Sequence, residues 1–189
     1  MPQQTAPRWG PIKKKLGEFN HAGLLALIKD LYDYSADNKA FLAARFAEES
    51  DNAALEEYRQ RIITQFFPNP RAMFPKPDLK EARRAIREYR KATSDITGTL
   101  DLMLTYVEAG TRFTNEYGDL WEAFYVSMES VLEEFSKLIQ TPAAAGLYGE
   151  FRDRLLKLEA ETRDIGWGYH DSISYEVKAL EKALAPPPR

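Results

Sequence analysis

Apolar side chains recur at spacings of three and four along most of the chain. The strongest stretch is Phe113–Ile139, where Trp121, Phe124, Tyr125, Met128, Val131, Leu132, Phe135, Leu138 and Ile139 fall on one stripe of a helix. A hinge, Tyr117-Gly118-Asp119, precedes it. Gly118 can take a positive φ at a helix end, and Asp119 is a good N-cap. Glu122, three positions on, completes a capping-box pattern. So many large apolar side chains predict that this helix lies at the centre of the core.

The same periodicity predicts a helix opened by Asn20 and running to about Tyr34, with Leu24, Leu25, Leu27, Ile28 and Leu31 inward. Ser35 or Asp37 caps the next, around Phe41, Leu42 and Phe46. Further helices are expected over Asn52–Phe67, Asp78–Thr93 and Leu100–Tyr117, the last with Gly110 as a candidate bend. Thr141-Pro142 starts a run through Leu147, Phe151, Leu155 and Leu158 that ends near Gly166, and Asp171 opens a final helix to Leu184. Period-two alternation and Gly/Asn hairpin signals are missing, so no strand is expected. The fold class is all-α: about eight mostly antiparallel helices, in a compact bundle or a short stack of helical hairpins. No clean repeat speaks for a regular solenoid.

Prolines set the limits. Residues 1–17 are expected to be a flexible N-terminal arm, residues 18–184 a single helical domain, and residues 185–189 a proline-rich tail. Pro68, Pro70, Pro75 and Pro77 stop the third helix and stiffen a long loop. The pieces flanking it are too small to fold alone, so one domain is kept.

Composition narrows the function classes. The chain has no cysteine, which excludes disulfides, thiol catalysis and thiolate zinc sites. A formal net charge of −3 makes no whole-chain case for nucleic acid or acidic membranes. No apolar run approaches the roughly 20 residues of a membrane span. Lys13-Lys14-Lys15 reads as a solvated basic segment without a signal-type apolar stretch after it, so no export signal is expected.

Four segments, Phe66-Phe67-Pro68, Ala82–Thr93, Asp101–Ser130 and Ile165–Asp171, together resemble a family of uncharacterised bacterial proteins, a domain of unknown function. The resemblance spans about Leu24 to Asp171 and weakens at the Pro68–Pro77 loop. It implies a bacterial, cytoplasmic, helical protein and carries over no catalytic residue.

Three constellations hold candidate chemistry. The helix 78–93 carries Arg83, Arg84, Arg87 and Arg90, with Lys80 and Lys91 extending the strip. Such a strip could neutralise phosphates of a nucleic acid, or pair with acids on its own and neighbouring helices. Asp119, Glu122, Glu129 and Glu133 form an acidic sector that could hold a divalent cation, although no Glu-x-x-His accompanies it. In Gly166-Trp167-Gly168-Tyr169-His170-Asp171 the glycines suggest a tight turn, with His170 as a candidate base or ligand and Asp171 as its partner or as a helix cap.

No Walker loop, dinucleotide loop or nucleophile elbow occurs. The leading reading is therefore a non-enzymatic adaptor that holds another protein in a groove between helices, without a cofactor. Phosphate or nucleic-acid binding and a metal-dependent hydrolase using Asp119, Glu122, Glu129 and His170 are the alternatives. The oligomeric state is open at this point.

Overall fold

The computed structural model describes residues 8–46, 53–68 and 75–184. All regular structure among them is helical: α1 (Trp9–Leu16), α2 (His21–Tyr34), α3 (Ala36–Phe46), α4 (Ala53–Phe66), α5 (Leu79–Thr93), α6 (Ile96–Tyr117), α7 (Glu122–Ile139), α8 (Tyr148–Glu161) and α9 (Tyr169–Leu184). A single 3-10 turn, Ala145–Leu147, leads into α8. The all-α class expected from periodicity holds. No helix among the described residues is long and apolar enough to cross a membrane.

The chain divides into two compact units, residues 1–46 and 47–189. In the smaller, α2 and α3 form a hairpin. Asn20 caps α2 by accepting from the Gly23 N–H at 2.8 Å. Ser35, not Asp37, caps α3: its Oγ accepts from the Asn38 N–H at 3.1 Å, while Asp37 lies in the first turn. The span expected as an arm is helical over Trp9–Leu16. Pro11 falls in the first turn, where its missing N–H has no helical partner to lose, and Lys13–Lys15 face the negative end of the helix dipole. None of the α1 residues is buried. Residues 1–7, the loop segment 69–74 and the tail 185–189 lie outside the described residues.

In the larger unit the centre is α6 rather than α7. This helix of 22 residues contacts α4, α5, α7 and α8. Leu100, Leu102, Leu104, Tyr106, Val107 and Phe113 are buried around its circumference. Between them Gly98, Thr99, Thr105, Gly110, Thr111 and Thr114 are also buried, keeping the axis close to its neighbours. A helix buried over most of its surface, with only a narrow polar edge at Asp101, Glu108, Arg112 and Asn115, offers little polar face to contrast with its apolar one. That is why the stripe of α7, which faces solvent on one side, stands out more in the sequence.

Gly110 does not interrupt α6. A Cβ there would fall 2.2 Å from the Met128 Sδ of α7, so glycine serves close packing of the two helices. The helix begins at Ile96, four positions early, because Thr99 donates its hydroxyl to the Asp95 carbonyl at 2.5 Å and Asp95 accepts from the Tyr89 hydroxyl at 2.7 Å.

Candidate functional site

α7 and α9 pack side by side, and their partnership builds a groove. The core face of α7 buries Phe124, Tyr125, Met128, Val131, Leu132, Phe135 and Ile139. On α9, Tyr169, Ile173, Val177 and Leu180 are buried in return. Tyr169 is the anchor: its ring lies 5.1 Å from that of Tyr125, and its hydroxyl meets the Thr111 hydroxyl of α6 at 2.9 Å. Burial pushes the Tyr169 phenol well above its ordinary pKa, so it stays a neutral hydrogen-bonding group.

The start of α7 is held differently from the expected capping box. Its N-cap is Trp121, which makes no side-chain cap hydrogen bond. Gly118 does take a positive φ of 87°. The Tyr125 hydroxyl then accepts from the Leu120 N–H at 3.1 Å and donates to the Asp119 carboxylate at 3.2 Å. Asp119 therefore braces a tyrosine one turn inside the helix.

Outward from the core, α7 and α9 present Val126, Glu129, Ser130, Glu133, Asp171, Ser172, Tyr175 and Glu176 along a groove of about 590 Å³. Four of its lining residues are carboxylates and none is basic. Glu133 accepts from Lys137, one turn on, at 2.6 Å. That hydrogen bond, with Glu176 and Glu134 nearby, holds the Lys137 ammonium above its ordinary pKa. Glu129, Asp171 and Glu176 have no ion pair among the described residues. At the rim, Val126 is 52% and Tyr175 73% exposed. The groove joins negative charge to accessible apolar surface.

The structure thus brings Glu129 together with Asp171, which the sequence reading had placed in different constellations. It separates others. His170 faces Thr162, whose hydroxyl lies 2.9 Å from Nδ1. The same hydroxyl donates to the Glu159 carbonyl at 2.9 Å, leaving its lone pairs to accept from an Nδ1–H. His170 is oriented by Thr162, then, and not by Asp171. Nor does Asp171 cap the last helix, which begins at Tyr169; Asp171 sits in the first turn. The tight element itself is present: Trp167 and Gly168 both have positive φ, at 62° and 73°.

Asp119, Glu122 and Glu129 do not converge. No three or more His, Asp or Glu side chains among the described residues form a group that could hold a metal ion.

The arginine strip is partly spent on ion pairs. Arg83 reaches α7 and donates to Glu134 at 2.5 Å. Arg84 pairs within α5 with Glu81 at 3.0 Å and Glu88 at 2.8 Å, and Glu88 also accepts from Arg61 of α4 at 2.9 Å. Arg87 and Arg90 are exposed and border a small depression of about 100 Å³ with Ile86 and Met103.

Sequence reasoning missed Val126, Tyr175 and Glu176 as site residues. The available signal was their phase: Val126 and Tyr175 are apolar positions that fall outside the core stripes of α7 and α9.

A family model describing a family of unknown function, DUF6155, matches residues 10–180, and the chain belongs to that family. No curated protein and no solved structure matched the chain.

Proposed function

We propose that this member of the DUF6155 family is a non-enzymatic binding module whose α7/α9 groove takes a basic, amphipathic helical segment of another protein. One observation carries the reading: four carboxylates and two exposed apolar side chains share a groove without a lining cation. A helix laid along it would place apolar anchors against Val126 and Tyr175 and lysines or arginines beside Glu129, Asp171 and Glu176. Complementary charge of this kind favours encounter and fixes register. A cysteine-free chain suits the cytoplasm, where we place the protein.

The two alternatives draw on weaker support. Phosphate or nucleic-acid binding would rest mainly on Arg87 and Arg90, since Arg83 and Arg84 are engaged with acids. A metal-dependent hydrolase would need a ligand group that Asp119, Glu122, Glu129 and His170 do not form among the described residues.

The test uses a fluorescein-labelled helical peptide with a leucine face and a lysine face, and the same peptide with its lysines replaced by glutamate. Anisotropy should show binding of the basic peptide alone, weakening as salt screens the carboxylates. Glu129→Lys with Glu176→Lys should weaken it at least about tenfold, or ~1.4 kcal/mol. Tyr175→Ala should weaken it independently, and Glu150→Lys on α8 should not. Equal binding of both peptides, or indifference to the groove substitutions, would overturn the reading.

A further inference from the structure

We infer that a groove along the polar edge of α6, flanked by α4 and α8, binds the carboxylate of a small organic acid through Arg112. The groove lies wholly within the larger unit, goes beyond the proposed function and shares no residue with the α7/α9 groove.

Three helices build it. Ile63 of α4, Ala109 of α6 and Leu158 of α8 supply the apolar lining of a volume of about 490 Å³. That volume falls within the range of about 300–1,000 Å³ usual for small-molecule sites. Side chains pin α8 to α6 at both ends. Toward the start of α6, Arg154 donates to Glu108 at 2.9 and 2.7 Å and to Asp101 at 2.6 Å. Toward its end, the Asn115 side-chain amide donates to the Glu161 backbone carbonyl at 3.0 Å. The groove is thus formed before a ligand arrives, and binding need not order these helices.

Charge selects the occupant. Three cations line the groove, Arg112, Arg154 and Lys157, against two carboxylates, Glu108 and Glu161. Arg154 is spent on Glu108, and Lys157 lies 3.5 Å from Glu161, one turn on. Asp101, outside the lining, also accepts from Arg59. Arg112 is the cation left over: no carboxylate pairs with it among the described residues.

Arg112 is also held in place. Its guanidinium lies 4.1 Å from the centre of the Phe67 ring, and Phe67 in turn packs against Phe113 and Tyr117, with ring centres 5.7 and 6.4 Å away. The ring positions the cation through its face and leaves the N–H fork free to donate elsewhere. A carboxylate takes two parallel hydrogen bonds from such a fork. One unmatched positive charge fits a monoanion, whereas a phosphate monoester would bring a second negative charge beside Glu108 and Glu161. The apolar body of the acid would lie against Ile63, Ala109 and Leu158, out of water.

Titration of the full chain with octanoate and with phenylbutyrate, followed by calorimetry and by the Arg112 Nε–H resonance, should show one saturable site. Acetate, which lacks the apolar body, and phenylbutyramide, which lacks the charge, should bind at least about tenfold more weakly. Arg112→Gln should also lower affinity for phenylbutyrate at least about tenfold. Arg112→Lys should fall between Arg112→Gln and wild type, because it keeps the charge and loses the fork. Arg112 is exposed, so both variants should keep the wild-type circular dichroism spectrum. Ile63→Ser should weaken phenylbutyrate and leave acetate unchanged, and Arg87→Gln on α5 should change neither. Absence of binding by both octanoate and phenylbutyrate would overturn the inference. So would equal affinity for phenylbutyramide, indifference to Arg112→Gln, or tighter binding of phenyl phosphate than of phenylbutyrate.

Discussion

Arg154 of α8 donates to Asp101 of α6 at 2.6 Å, joining residues 53 positions apart. The other Asp101 oxygen accepts from Arg59 of α4 at 2.8 Å. Arg154 also forks onto Glu108 at 2.9 and 2.7 Å. One carboxylate, its side chain 15% exposed, thereby ties three helices. Asp101→Ala should lower stability by about 2–3 kcal/mol, because two half-buried guanidinium groups lose a charged partner. Arg154→Lys should recover little of the wild-type value, since a point charge cannot serve Asp101 and Glu108 in parallel. A double-mutant cycle with Arg154→Ala, read by chemical denaturation, should give a coupling of at least about 1 kcal/mol. Additive effects would show that the pair contributes no net stability.

The contact between Gly110 and Met128 makes a second prediction. A methyl at 110 would fall 2.2, 3.1 and 3.3 Å from Met128 Sδ, Cγ and Cε, and Met128 is fully buried. Alanine ordinarily favours a helix, but here it meets a side chain with little room to retreat. Gly110→Ala should destabilise by about 1–3 kcal/mol through overpacking. Adding Met128→Ala should return part of that loss, although Met128→Ala alone opens a cavity. Thermal melts of the four proteins would show the sign reversal.

These two contacts mark what the sequence could and could not reveal. Helix identity was legible where one face stays wet: α2, α4, α5 and α7 follow spacings of three and four, and Asn20 opens α2 as expected, while Asp78, expected only as the start of its helix, caps α5 by accepting from the Glu81 N–H at 3.0 Å. The central position of α6 was hidden because glycines and threonines fill its interior faces. Partners across helices were hidden altogether. Periodicity placed Glu129 on a surface, but only the packing of α9 shows that Asp171 and Glu176 share it. Likewise the spacing left Arg83 open as a phosphate ligand or as the partner of an acid on a neighbouring helix, and the packing of α7 supplies that acid as Glu134.

Acid stability offers a third check. Glu181 of α9 accepts from Arg152 at 2.6 Å and from the Tyr148 hydroxyl at 2.7 Å, and these hydrogen bonds hold its carboxyl below the ordinary value of 4.5. A carboxyl with a lowered folded pKa contributes stability above its unfolded pKa and loses it as pH falls through the folded one. Glu181→Gln should therefore be less stable than wild type near neutrality. Below pH 4.5 the difference should shrink, so the variant's acid limb is shallower. Parallel limbs in thermal melts against pH would show that Glu181 plays no part.

Trp167 has a φ of 62° and an indole that is 63% exposed. The left-handed region is unfavourable for a residue with a Cβ by roughly 1–2 kcal/mol, whereas asparagine visits it more readily. An indole this exposed has little burial to set against that strain. Trp167→Asn should consequently hold or raise the melting temperature. Trp167→Val should lower it, because a β-branched side chain suits positive φ least. The predicted order is Asn, then Trp, then Val. If tryptophan proved the most stable of the three, its ring would be contributing packing that offsets the backbone. If instead the order holds, the strained turn is retained against a local stability gain, as strain at ligand-facing loops commonly is. Peptide titrations of Trp167→Asn beside the α9 groove substitutions would then measure whether this turn contributes to binding.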